Sequence, residues 1–196
     1  MKFADLVVDA AGNGTAQVEA QVLRLRAAAQ TDWFFHPEGI LCKADVVRAS
    51  RMVDEPVFSF SARVTVDFAS AFDAGALFVQ VDAHTWAKLA FERSGAGLPT
   101  AVSVITRGTS DDADGPSIEG NSLWLRVHCT GRALAFHFSS DGWYWQFLRW
   151  FTLPGIERRP LRIGFAAQSP TGEGCAVQFS DLQWGLEAIE DLRNGS

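Results

Sequence analysis

Between Val57 and Phe68 the chain alternates without a fault. Phe58, Phe60, Ala62, Val64, Val66 and Phe68 fall on one side, and Ser59, Ser61, Arg63, Thr65 and Asp67 on the other. A helix turning every 3.6 residues would spread those apolar side chains around its circumference, whereas a pleated strand gathers them on one face. The segment is therefore a strand with one face in a core and one in water, which commits the chain to a sheet that needs a second layer.

The same grammar recurs along the chain. Gly75–Asp82 and Trp86–Arg93 form a hairpin around Ala83-His84-Thr85, with Leu77, Val79, Val81, Ala87, Leu89 and Phe91 on one face and Gln80, Asp82, Trp86, Lys88 and Glu92 on the other. Ala101–Arg107 puts Val102, Val104 and Thr106 on one side and Ser103 and Arg107 on the other. Ser122–Thr130 sets Leu123, Leu125, Val127 and Cys129 against Trp124, Arg126 and His128. Phe136 to Trp145 is a strand, a tight turn at Ser140-Asp141-Gly142 and an aromatic segment, because Gly accepts the positive φ of such turns and Asp bonds its own backbone. Gln17–Arg26 keeps the pattern with its parity shifted midway, as a bulge or strand break would do. Trp33–Lys43, interrupted by His36-Pro37-Glu38-Gly39, is a further strand pair, and Leu161–Gln168 and Gly174–Trp184 complete about a dozen strands. Thr109–Asn121 reads as a polar loop. Leu186, Ile189 and Leu192 recur every three residues, the spacing of a short C-terminal helix over Leu186–Arg193.

Seven Trp and fifteen Phe against a single Tyr suit pleated sheets, and 196 residues suffice for one sandwich over residues 1–196. The formal charge of −6, with Lys and Arg scattered, excludes a phosphate-backbone footprint. No apolar run approaches the roughly 20 residues that span a bilayer, so no membrane partner is expected and the chain is read as cytoplasmic. Cys42, Cys129 and Cys175 have neither disulfide nor zinc spacing, and no metal or cofactor is implied.

With the strands placed, the pattern resembles a family of bacterial and fungal concanavalin A-like proteins of unknown function, which includes the yeast protein called regulation of enolase. The residues that carry the resemblance are Thr31-Asp32-Trp33-Phe34 with Gly39, the hairpin from Gly75 to Glu92, Leu125-Arg126-Val127, Ser140-Asp141-Gly142 with Trp145, Ile163-Gly164-Phe165, Gln168-Ser169-Pro170, Gly172, Gly174 and Phe179-x-Asp181-Leu182. What it implies is an all-β, two-sheet antiparallel jelly roll of the lectin and glucanase superfamily, whose concave face often holds carbohydrate. It implies no established reaction.

Sugars present hydroxyls to polar side chains and C–H faces to rings, so a groove mixing Trp with charged and amide groups suits them. The polar strand faces supply Gln80, Asp82, Trp86, Lys88, Glu92, Ser103, Arg107, Trp124, Arg126, His128 and His137 as candidate ligand-binding residues, Trp86 and Trp124 foremost. The competing explanation is that any antiparallel sheet has a wet face. Which wet face is concave does not follow from the sequence.

Hydrolysis is disfavoured. The superfamily's Glu-x-Asp-x-Glu pattern occurs on no strand, and Asp82 and Glu92 stand near 20 Å apart at roughly 3.3 Å per residue, too far for either glycosidase geometry. No nucleophile elbow, phosphate loop or metalloprotease motif is present. A non-catalytic binder of a carbohydrate-like or other polar small molecule is the expectation, with a protein-interaction module, homodimer included, as the alternative. For that alternative the rings of Trp143, Tyr144, Trp145, Phe147, Trp150 and Phe151 fall on both parities of one strand.

Overall fold

The computed structural model describes residues 1–10 and 12–195. Its strands are β1 (Val7–Asp9), β2 (Gly14–Glu19), β3 (Val22–Ala27), β4 (Trp33–Phe35), β5 (Cys42–Ala44), β6 (Val47–Val53), β7 (Phe58–Val66), β8 (Ala74–Asp82), β9 (Thr85–Arg93), β10 (Pro99–Arg107), β11 (Thr109–Ser117), β12 (Ser122–Cys129), β13 (Leu134–Ser139), β14 (Gln146–Phe151), β15 (Leu161–Gln168) and β16 (Ala176–Gly185). One antiparallel sheet runs β1-β6-β15-β8-β9-β10-β11 and a second runs β14-β13-β12-β7-β16-β3-β2. They stack as a two-sheet sandwich, supplying the second layer the alternation demanded and the jelly-roll architecture the resemblance implied.

The core between the sheets is built from one parity of each strand. Leu77, Val79, Leu89, Phe91 and Phe165 come from the first sheet, and Phe60, Val64, Leu125, Phe136 and Phe179 from the second, all buried in one cluster. Phe165 stands edge-on to Phe60 with centroids 6.0 Å apart. Gly75 marks the closest approach of the layers: a Cβ there would sit 2.4 Å from Val177 Cγ1 and 2.7 Å from Val64 Cγ1, so only glycine lets β8 lie this near the second sheet.

The first sheet is also covered on its outer face. The small β4–β5 hairpin folds over it, and Trp33, Phe35 and Val46 join Ala76, Phe78, Trp86, Ala90, Val102, Val104 and Ala166 in a second buried cluster. Trp33 lies 4.4 Å from the Trp86 ring and edge-on to Phe78 at 5.0 Å. Strands β8, β9 and β10 are consequently buried on both faces over most of their length.

Two expectations change, and a third, the strand break within Gln17–Arg26, is given its form. Thr109–Ser117 is not a loop but the edge strand β11, paired with β10. Its Asp-rich sequence is compatible with that position, since edge strands carry charge that discourages further pairing. The parity shift in Gln17–Arg26 is a hairpin: Ala20 turns the chain at φ 52° between β2 and β3. No helix forms over Leu186–Arg193, which runs through bends and turns. Its backbone is engaged by the second sheet: His137 Nε2 meets Leu192 O at 2.7 Å, and Arg126 Nη2 donates to Gly195 O at 2.7 Å. The helical turn found among the described residues is a 3-10 turn at Phe3–Asp5, and no helix among them is long and apolar enough to cross a membrane.

Candidate functional site

A cavity of about 330 Å³ lies on the outer face of the first sheet, beside the β4–β5 hairpin. The sheet register explains why space remains there. Reading across β15, β8, β9 and β10, the partners Ala166, Ala76, Ala90 and Val102 form a row of small side chains ending at Asp114 on β11. The row on one side is Phe78, Lys88, Val104 and Asp112, and on the other Gln168, Ala74, Glu92 and Thr100. Of these, Val102 and Val104 give the cavity its apolar lining from β10, and Lys88, Glu92, Gln168, Asp112 and Asp114 its polar one. Phe34, Asp32 and Phe72 complete the wall.

Lys88 and Glu92 are four residues apart on β9, so they project from the same face roughly 13 Å apart along the strand. Lys88 is only 2% exposed, and its Nζ donates to Trp33 O at 2.8 Å and to Gln168 Oε1 at 2.7 Å. Those bonds use two of its three ammonium protons, and Nζ makes no third hydrogen bond with the described residues. The Gln168 amide is thereby fixed: its Nε2 faces Phe72 O at 3.3 Å and Glu92 Oε2 at 3.4 Å. The other Glu92 oxygen accepts no hydrogen bond from the described residues, although the side chain is 8% exposed.

Burial dominates the electrostatics. It pushes the Glu92 carboxyl up to about 8, against the opposing pull of Lys88. Burial likewise raises Asp32, with Lys88 opposing, and lowers Lys88, with Asp32 and Glu92 opposing. Burial thus favours the protonated form of Glu92, which can donate as well as accept. Asp32 is steadied by its own loop, its Oδ1 accepting from Trp33 N at 2.7 Å while its backbone N donates to Asp45 Oδ1 at 2.7 Å.

Phe72 adds a local signal. It holds φ 67°, a left-handed backbone that costs a bulky side chain about 1–2 kcal/mol. Its N donates to Arg93 O at 2.6 Å, and the fully buried Asp73 beside it accepts from Ala69 N, Ser70 N and Ser169 Oγ. The loop is braced with the Phe72 ring at the cavity.

Of the sequence-predicted residues, Lys88 and Glu92 line this cavity. Trp86 lies nearby without lining it: it is fully buried beneath Trp33 as part of the hairpin's seat, not an open stacking platform. Gln80 and Asp82 stand at the end of β8, where Asp82 Oδ1 accepts from His84 N of the turn at 2.8 Å and Gln80 Nε2 donates to Asp82 O at 3.1 Å. Ser103 and Arg107 fall on the opposite parity from the one expected. Val102 and Val104 face the hairpin side, while Ala101 and Ile105 face the inter-sheet core, so Ser103 points between the layers and accepts from Arg149 Nη1 at 3.2 Å. Arg107 donates to Thr152 O at 2.8 Å. Both faces of β10 are apolar because both are covered, and alternation alone cannot orient such a strand.

Trp124, Arg126, His128 and His137 form a separate group on the outer face of the second sheet. Arg63 stacks over Trp124 at 4.7 Å and Arg126 over Trp145 at 4.4 Å. His128 Nδ1 bonds Ser59 Oγ at 2.6 Å, and both imidazoles are pushed down to about 4, chiefly by burial, with Arg126 adding to it. Arg63 Nε, Arg126 Nε and His137 Nδ1 are buried there without a hydrogen-bond partner among the described residues, and the eleven candidates do not form one groove.

The cavity residues that the face pattern did not select are Asp32, Phe34, Phe72, Asp112, Asp114 and Gln168. Asp112 and Asp114 carry a period-two signal within 109–117, hidden by the density of polar residues. Asp32 and Gln168 stand in segments whose approach to β9 depends on long-range pairing.

A family model described as a protein of unknown function, DUF1349, matches residues 12–186. Among solved structures, a functionally unknown protein from Saccharomyces cerevisiae superposes with a TM-score of 0.86 at 22% identity, covering 96% of this chain and all of that one. A GH43 protein from Bacillus licheniformis gives 0.68 at 14% identity, covering 86% of this chain and 34% of that one. The metal-free lectin I-B4 from Griffonia simplicifolia gives 0.56 at 12% identity over 93% of each chain. At these identities the likeness is one of fold, that of the concanavalin A-like lectins and glucanases. No curated protein matches the sequence significantly.

Proposed function

We propose that this chain, which belongs to the DUF1349 family of proteins of unknown function, binds a carbohydrate-like, polyhydroxylated small molecule in the cavity beside the β4–β5 hairpin without turning it over. The observation that carries this reading is the buried relay Lys88–Gln168–Glu92 beside the apolar side chains of Val102 and Val104, with donor and acceptor capacity left over at both ends. Buried polar groups that keep unused capacity beside open space are arranged for a ligand, since closing that capacity inside the protein would otherwise be favoured. The rings of Phe34 and Phe72 offer apolar contact for C–H faces. Lectins share the fold, which is consistent with the reading.

A glycan array comparing wild type with Lys88→Met, Gln168→Ala and Trp124→Ala tests it. Wild type and Trp124→Ala retain the same glycans, and the two cavity variants, confirmed folded by thermal unfolding, lose about tenfold or more in affinity, since each leaves buried polar groups unpaired. Absence of any retained glycan overturns the reading, and loss confined to Trp124→Ala moves the site to the other sheet. Incubation with retained glycans is expected to leave them intact.

A second reading has its own observation. Trp143 is 89% exposed, Tyr144 70% and Trp150 52%, beside and on the edge strand β14. Such a row of exposed rings is the composition of a protein contact, a second copy of this chain included. Loss of a partner on Trp143→Ala and Trp150→Ala, with glycan retention absent from the wild type, would favour it.

A further inference from the structure

The wall of the cavity holds more acid than base. Asp32 beside β4, Glu92 on β9, and Asp112 and Asp114 on β11 line it, with Lys88 the single basic side chain among the residues that do. Lys88 already gives two of its protons to Trp33 O and Gln168 Oε1. Asp112 and Asp114 are both exposed and make no hydrogen bond or ion pair with the described residues, unlike Asp111 between them in sequence, which pairs with Arg149 at 2.8 Å. Alternation on β11 thus sends one aspartate to an internal partner and two towards the cavity.

The carboxylates are also spread out. No group of three His, Cys, Asp or Glu among the described residues comes close enough together to hold a metal ion. Asp112 and Asp114 are about 6.6 Å apart along the strand. A distributed negative wall fits an extended organic cation better than a point charge, and the faces of Phe34 and Phe72 are attractive to an ammonium group. Glu92 strengthens the case independently: it is buried, lines the cavity and keeps one oxygen without a partner.

We infer that the cavity selects polyhydroxylated ligands that carry a protonated amine, amino sugars as a class, over neutral and acidic sugars. The inference rests on the carbohydrate-binding reading above and narrows it. Lys88 and Gln168 hold hydroxyls, the Phe rings cover a sugar face, and the aspartates of β11 with Asp32 meet the amine. Binding the cation also favours the ionised form of Glu92, whose charged neighbours from all packed elements are Lys88, Asp32, Asp112 and Asp114.

The test is titration calorimetry of the full chain with three probes at low ionic strength and a mildly acidic pH that keeps amines protonated: a chitosan tetramer, cellotetraose and a galacturonate tetramer. The chitosan tetramer is expected to bind about tenfold more tightly than cellotetraose, with the acidic probe weaker again, and the preference shrinks as salt is raised because exposed charges are screened. Asp112→Asn with Asp114→Asn brings the two tighter probes within about threefold of each other, whereas Asp54→Asn with Glu157→Gln, which changes net charge equally at exposed sites outside the cavity, leaves the preference intact. Equal binding of the amino and neutral probes overturns the inference and leaves the binding reading standing. Binding of none of the three overturns both, and loss of preference in the Asp54/Glu157 pair shows a bulk-charge effect and overturns the inference alone.

Discussion

The outer faces of the two sheets look alike in sequence and end up opposite in chemistry. Each carries Trp, a cationic side chain and further titratable groups at alternate positions: Trp86, Lys88 and Glu92 on one, Trp124, Arg126 and His128 on the other. On the second sheet the residues 186–195 lie over the face, and their carbonyls meet Arg126 and His137 while Ser59 meets His128. On the first sheet the covering hairpin packs its rings at one end and leaves a cavity at the other, with Lys88 and Glu92 only partly satisfied. The first cover leaves Lys88 and Glu92 facing open space, whereas the second leaves Arg126 Nε and His137 Nδ1 buried without partners among the described residues.

The largest contrast concerns the two tryptophans. Trp86 is fully buried among Trp33, Phe35 and the sheet, so Trp86→Ala is expected to cost about 3–5 kcal/mol and to loosen the hairpin that bounds the cavity. Trp124 is half-buried and its main specific contact is the Arg63 guanidinium, so Trp124→Ala is expected to cost about 1 kcal/mol. Denaturant unfolding of both variants measures the difference. Equal costs would mean that the hairpin is not seated by Trp86 and would remove the structural basis of the cavity.

The faces should also respond to pH with opposite signs. His128 and His137 sit near 4 when folded against an ordinary 6.5, so between those values the unfolded chain binds more protons and stability falls as pH falls. Glu92 sits near 8 when folded against an ordinary 4.5, so the folded chain binds more protons and stability falls as pH rises through that window. The histidine and Glu92 effects oppose each other from 4.5 to 6.5; above that the histidines drop out, and Glu92 is opposed by Lys88, whose ammonium is lowered by burial from its ordinary value. Glu92→Gln is expected to flatten the alkaline decline, and His128→Gln to reduce the acid one, each leaving the other limb in place. A Glu92→Gln profile that still declines from pH 6.5 to 8 would show that Glu92 is ionised in the fold.

What could be read in advance follows the same division. Period two in Val57–Phe68, the two long hairpin strands and Ser122–Thr130 gave the sandwich and the correct inward parity, because each carries polar residues on its outward parity, even in β8 and β9 where the hairpin covers part of that face. β10 misled, since both its faces are apolar. β11 misled in the reverse sense, since nearly all of it is polar and only register shows Asp112 and Asp114 turning towards Lys88 and Ala90. Lys88 and Glu92 were legible as a same-face pair. Asp32 and Gln168 were not legible as site residues from the face pattern, because what brings them to β9 is the folding of segments more than 50 residues away in the chain. The divergence of the two outer faces has the same origin: residues 31–46 and 186–195 decide it, and neither segment carries a periodic signal of what it will cover.

The smallest expected effect lies in the backbone. Both faces contain a non-glycine residue in left-handed conformation, Phe72 at φ 67° beside the cavity and Asp181 at φ 53° where β16 breaks register against β7. Aspartate adopts that conformation readily, whereas a bulky aromatic does not. Phe72→Gly removes both the ring and the strain, and Phe72→Ala removes the ring alone. The glycine variant is therefore expected to be the more stable of the two by about 1 kcal/mol, the strain relief outweighing glycine's greater freedom when unfolded. The corresponding gap between Asp181→Gly and Asp181→Ala reports only the general preference of a left-handed site for glycine. What would separate the faces is the proposed binding: both Phe72 variants are expected to lose glycan retention, and both Asp181 variants to keep it. Retention surviving in folded Phe72→Gly would mean that the strained loop serves the fold and that the cavity binds without its ring.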